Sequence, residues 1–136
     1  MKALIIVFMT AITMTFSSNA QTERAHIEQT INQFVKATSE RDVYGMHYLL
    51  HETFQDAEFT GVRSKSDYMK LLADRKLGGE DQKAEILSVD IAQGSASIRV
   101  KICGNSGSTE SYMHLVKNDY GSWQILHILP CLHQKV

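Results

Sequence analysis

The chain has 136 residues, of which 43% are hydrophobic, with a formal net charge of -1 and two cysteines. Near-neutral charge leaves no broad basic surface, which argues against nucleic acid or an acidic membrane surface as a partner. With one proline and no linker or internal repeat, the length suits a single compact core.

Lys2 precedes an uncharged apolar run, Ala3 to Phe16, and Ser17-Ser18-Asn19-Ala20 then turns polar and ends on a small residue. That is the order of a secretory signal. It predicts cleavage after Ala20, export to the periplasm or beyond, and a mature domain over 21–136. A membrane anchor is the competing reading, but the run falls short of the roughly 20 residues a spanning helix needs.

From Thr22 to Glu40, Ile27, Ile31, Phe34 and Val35 recur at helical spacing and predict an amphipathic helix with one buried stripe. Glu40-Arg41-Asp42 breaks it. Asp42 can cap a short second helix whose stripe is Val43, Met46, Leu49 and Leu50, with Gly45 a cost to its stability. Phe54 to Phe59 alternates as a brief strand, and Thr60-Gly61 turns the chain. Ser64 and Asp67 form a capping-box start for a third helix, Lys65 to about Lys76, which Gly78-Gly79 stops.

The last third carries four alternating runs: Ala84–Gln93, Ser95–Cys103, Ser108–Lys117 and Trp123–His133. Turn residues separate them (Gly94, Asn105-Ser106-Gly107 and Asn118-Asp119-Tyr120-Gly121), so they predict an antiparallel meander. Three helices segregated to one face of such a sheet make an α+β fold. Cys103 and Cys131 would then lie on next-but-one strands. Their separation of ~10 Å exceeds the roughly 7 Å between alpha carbons that a disulfide bridges, unless Pro130 bends the last strand.

This order of elements, with Arg41-Asp42, Leu49-Leu50-His51 and the closing Tyr120-Gly121-Ser122-Trp123-Gln124-Ile125, resembles the nuclear transport factor 2-like superfamily. It is most similar to the exported members labelled lumazine-binding or SnoaL-like. The resemblance implies a cone in which three N-terminal helices pack against a curved antiparallel sheet, here a short strand plus the four-strand meander. It also implies a pocket and, often, a homodimer. The superfamily holds isomerases, dehydratases and cyclases beside non-catalytic binding domains, so fold alone assigns no chemistry.

Taking Trp123 as a core position, alternation turns Ile125, His127, Leu129 and Cys131 toward the helices. Pairing across the turns adds Val116, His114 and Tyr112, then Ile98, Val100 and Ile102. Asp56 and Glu58 share one face of the short strand. A carboxylate with imidazoles in an apolar cavity is what acid–base chemistry needs, because burial brings both groups nearer working pH. Asp56, Glu58, His114 and His127 are therefore the catalytic candidates. Tyr112, His114, His127, Trp123 and Phe34 are the ligand-binding candidates. Hydrogen-bonded core histidines and a solvated carboxylate edge are the plainer alternative.

Within the resemblance, Glu58 matches the carboxylate base of the ketosteroid isomerases. Phe34 and Met113 stand where that branch has its two oxyanion donors, which argues against that activity. His47 and His51, four apart, are a weak two-histidine metal spacing without a third ligand, and no cofactor is implied. The sequence thus predicts an exported domain that holds a small, largely apolar ligand. Its alternative is an acid–base isomerase, dehydratase or cyclase using Asp56 or Glu58 with a histidine; a blander possibility is a filled cone serving only to dimerise. The same phasing puts Met113, Leu115, Leu126 and Ile128 in one outward apolar patch and predicts a homodimer there.

Overall fold

The computed structural model describes residues 2–59 and 61–131, with side chains over 20–57 and 61–131. Helix α1 spans Lys2–Glu40, α2 Val43–Leu49 and α3 Lys65–Ala73; the strands are β1 Leu50–Phe59, β2 Gly61–Ser64, β3 Gln82–Ala92, β4 Ser95–Gly104, β5 Gly107–Lys117 and β6 Trp123–Pro130. The fold is α+β, as expected, with one more strand than the sequence predicts. The end of the fourth predicted run, at His133, lies outside the described residues. Among those residues no helix is long and apolar enough to cross a membrane.

Ile27, Ile31, Phe34 and Val35 form the buried stripe of α1. The hydroxyls of Thr30 and Thr38 on the same helix donate back to the carbonyls of His26 and Phe34, each at 2.9 Å, so their burial leaves no polar group unmet. Arg41, at φ 53, ends the helix. Asp42 then caps α2 by accepting from the Gly45 amide at 2.9 Å. A Cβ at Gly45 would lie 2.4 Å from the Asp42 carboxylate, so the glycine makes room for the cap. At α3 the capping box forms in full: Ser64 Oγ accepts from the Asp67 amide and the Asp67 carboxylate from the Ser64 amide. Lys65 donates to His47 O at 2.8 Å and Leu50 O at 2.9 Å, closing the end of α2, and partial burial lowers its pKa.

The six strands form one sheet in the order β2-β1-β6-β5-β4-β3. β1 lies parallel to β6 and every other pairing is antiparallel. The helices cover one face, where Phe54, Ile98, Val100, Met113, Leu115 and Ile125 meet α1 to α3 in a single core.

Strand phasing departs from expectation in β5 and halfway along β6. The loop between them holds five residues rather than four: Lys117 pairs with Trp123, and Asn118 Oδ1 accepts from the amides of Tyr120 and Ser122. One extra residue reverses the parity across the hairpin. Ser111, Met113 and Leu115 therefore point inward, and Tyr112, His114 and Val116 outward. In β6 Trp123 and Ile125 face the helices as predicted. A register shift opposite His114 and Leu115 then leaves Leu126 as an extra residue, so that Ile128 is buried while His127 and Leu129 turn to the outer face. The proposed outward patch is thereby corrected: Met113, Leu115 and Ile128 are core residues. Cys103 and Cys131 are both free and half-buried, and the strand between them keeps them apart.

The loop after α3 is fastened to the end of α1. Arg41 donates to Leu77 O at 3.1 Å and Gly78 O at 2.9 Å, and the Gly79 amide donates to Thr38 O at 3.1 Å. Gly78 has φ +78, and a Cβ there would fall 2.1 Å from Thr38 O; Gly121 has the same φ with nothing within 4 Å. Gly78→Ala is therefore expected to lower stability by more than Gly121→Ala, whose cost is the left-handed backbone alone, about 1–2 kcal/mol. Urea denaturation midpoints of the two variants check this; equal losses would contradict the close approach.

At the other end, Glu23 bonds to Lys117 and accepts from Trp123 Nε1 at 3.0 Å. Chiefly through the Lys117 bond, its carboxyl is held below the ordinary 4.5. A depressed carboxylate contributes stability that is complete above its ordinary pKa and is lost as pH falls through the lowered one. Below pH 4.5 the wild type should therefore lose stability more steeply than Glu23→Gln. Parallel curves from denaturation at stepped pH would contradict this.

Candidate functional site

β1 alternates Phe54 and Asp56 inward with Gln55 outward. Asp56 is 1% exposed. An ionised carboxylate there needs a partner. The β1–β2 hairpin supplies one, since Arg63 stands directly opposite Asp56 and its Nη2 donates to Asp56 Oδ2 at 2.7 Å. Tyr68 of α3 packs beside the pair. Its ring centroid lies 5.5 Å from Phe54 and 6.1 Å from Phe34, and the Arg63 guanidinium carbon sits 6.0 Å away over its face.

Asp56, Arg63 and Tyr68 bound one end of a cavity of about 250 Å³ between the helices and the inner sheet face. Its apolar wall is Phe34, Ile102, Met113 and Ile128. Its rim is the fastened loop, through Leu77, Gly78 and Glu80, together with Gln82 and Thr109. Glu80 is itself fixed, accepting from the Ser106 amide at 2.9 Å. The cone is therefore not filled by its own side chains.

Of the residues singled out from sequence, Asp56 and Phe34 line this cavity. The side chain of Glu58 lies outside the described ones. His114 and His127 are cross-strand neighbours, their rings 6.1 Å apart and edge to face, but on the outer face of the sheet. Tyr112 is on that face too, 47% exposed. Trp123 is buried at the Glu23 anchor and is not among the residues lining the cavity. Hence no carboxylate–histidine pair forms in the cavity from these residues. His47 falls on α2 and His51 on β1, where its Nδ1 is within 2.9 Å of Thr53 Oγ1, so the two do not share a helix face. Among the described residues no cluster of three metal-ligating side chains occurs.

Arg63 is the charged cavity-lining residue that sequence reading misses. Its segment, Gly61-Val62-Arg63-Ser64, has one apolar residue in four and no alternation to mark a strand. The available signal was the Thr60-Gly61 turn expected from the sequence, which folds the segment holding Arg63 back along the strand that carries Asp56.

Residues 22–128 match the family described as "Putative lumazine-binding". The chain belongs to this family. Solved structures with the same architecture include a nuclear transport factor 2-like protein of unknown function from Shewanella baltica (16% identity, TM-score 0.69, covering 84% of this chain and 96% of that one). A "Putative Scytalone Dehydratase" from Novosphingobium aromaticivorans aligns at 14% identity and TM-score 0.71, over 82% of this chain and 85% of its own. A "putative ketosteroid isomerase" from Shewanella frigidimarina aligns at 21% identity and TM-score 0.58, over 74% and 89%. At these identities the likeness establishes the nuclear transport factor 2-like fold and nothing finer. No curated protein matches the chain.

The buried pair makes a specific stability prediction. Arg63→Met removes the cation 2.7 Å from the Asp56 carboxylate and is expected to lower stability, by less than the ~3–5 kcal/mol of a fully buried pair because Arg63 is 24% exposed. Adding Asp56→Asn removes the negative charge that Arg63 had balanced, so the double variant should recover part of that loss. Denaturation midpoints that fall further in the double variant would contradict the pairing.

Proposed function

We propose that the chain is an exported small-molecule-binding or accessory domain that holds a compact, largely apolar ligand in the cavity between the helices and the inner sheet face. The observation that carries this reading is the cavity itself: apolar walls with one buried ion pair at the end, the composition usual for ligand sites. The family's description, lumazine-binding, points the same way. Export rests on the charged, apolar, small-residue order of residues 2–20. Cleavage after Ala20 leaves Glu23 and Ile27, both tied into the fold, on the mature chain.

The alternative, an acid–base isomerase, dehydratase or cyclase, has Asp56 in the cavity in its favour and two structural neighbours with names of that kind. It is the weaker reading, because Asp56 is held by Arg63 while His114 and His127 stand across the sheet. Ile102→Trp fills the cavity from its wall. Native mass spectrometry of the protein from its own host should show a retained small molecule in the wild type and none in this variant. Undiminished retention by a folded Ile102→Trp protein would overturn the assignment.

A homodimer through the outer sheet face completes the proposal. With the patch corrected, its apolar contribution comes from Tyr112 and Leu129, cross-strand partners 47% and 46% exposed, beside the Arg99–Glu110 ion pair. Tyr112→Lys with Leu129→Glu should give a monomer in sedimentation without lowering thermal stability of the fold. A wild-type monomer at micromolar concentration would contradict this interface.

A further inference from the structure

We propose that His114 and His127 from two copies of this chain together hold one divalent zinc-type transition-metal ion at the centre of the dimer. This rests on the homodimer through the outer sheet face and adds a metal site to it. The two histidines stand directly opposite each other on β5 and β6, with their rings 6.1 Å apart and edge to face. Those strands are the middle two of the six, so the pair sits midway across the outer face. Both side chains are half-buried, and neither imidazole is hydrogen-bonded among the described residues. A second copy packed on this face takes water from all four rings, and buried ring nitrogens then need another partner. One shared metal ion supplies it to all four.

Geometry and donor type select the ion. With zinc–imidazole bonds of ~2.0–2.1 Å, two rings on one ion have centres ~5–6 Å apart, a small rotation from the arrangement here. Stacked sheets lie ~10 Å apart, which puts their midplane ~5 Å from each, within reach of an imidazole. A two-fold axis through the pair therefore brings two rings from each copy to one point. One chain alone gives an incomplete site, since no cluster of three metal-ligating side chains occurs among the described residues. Four nitrogens around one point make the tetrahedral set that zinc takes, whereas copper(II) and nickel(II) favour square-planar sets. Calcium and magnesium need oxygen ligands, and Glu110 on the same strand is already engaged by Arg99 at 2.7 Å.

The test is titration of the chelator-stripped protein with zinc chloride, read by calorimetry and by sedimentation. Calorimetry should give one zinc per two chains, and zinc should shift the equilibrium from monomer toward dimer, while calcium chloride does neither. By symmetry each single substitution removes two of the four ligands. His114→Gln and His127→Gln should therefore each lose both the zinc binding and the zinc-driven shift, while melting without metal as the wild type does. His26→Gln, on α1 at the other face of the sheet, should lose neither. One zinc per chain, undiminished binding in a folded His114→Gln or His127→Gln protein, or no binding by the wild type would overturn the shared site. A wild type that is monomeric without metal yet dimerises on zinc would refute the apolar interface and leave the zinc site standing.

Discussion

A carboxylate buried to 1% exposure imposes conditions on everything around it. Charged and unpaired, it would oppose folding by several kcal/mol, so the fold brings a half-buried cation up to it. The short strand β2 exists in the sheet on those terms. It holds Arg63 in register with Asp56 and leads directly into the capped start of α3, whose Tyr68 then packs under the guanidinium. On the opposite rim, Arg41 ties the loop after α3 to the end of α1, so the cavity is bounded by connections that are individually hydrogen-bonded. The polar end of the cavity is thus built into the framework rather than laid on its surface.

The two faces of the sheet divide the chemistry. The inner face carries the Asp56–Arg63 ion pair amid aliphatic and aromatic groups. The outer face collects the edge-to-face His114 and His127, the Arg99–Glu110 pair, Tyr112 and Leu129. Had the histidines faced inward, Asp56 would have had imidazole partners, and acid–base chemistry would have been the stronger reading. The five-residue β5–β6 loop turns His114 to the outer face, and the register shift at Leu126 turns His127 there too.

Much of this was legible from sequence because local rules govern it. The stripe of Ile27, Ile31, Phe34 and Val35, the Asp42 cap and the Ser64–Asp67 box each depend on residues within a turn or two. The meander followed from alternation and turn residues, and β4 kept its predicted phase. What failed was non-local. Register across the β5–β6 hairpin depends on whether the loop holds four or five residues, and Asn118 selects five by bonding to two amides beyond it. The register shift near Leu126 has no signature in an otherwise regular alternation, and together these sent Met113, Leu115 and Ile128 to the wrong face. Arg63 went unnoticed because its strand is defined by its partner rather than by its own pattern.

The central claim is that the ligand lies in the cavity on the helix side of the sheet. A crystal structure of the protein with the molecule it carries from its own host tests this most directly. The account predicts ligand density in the cavity, against Phe34, Ile102 and Met113. Density on the outer face against His114 and His127, with the cavity holding only water, would contradict it.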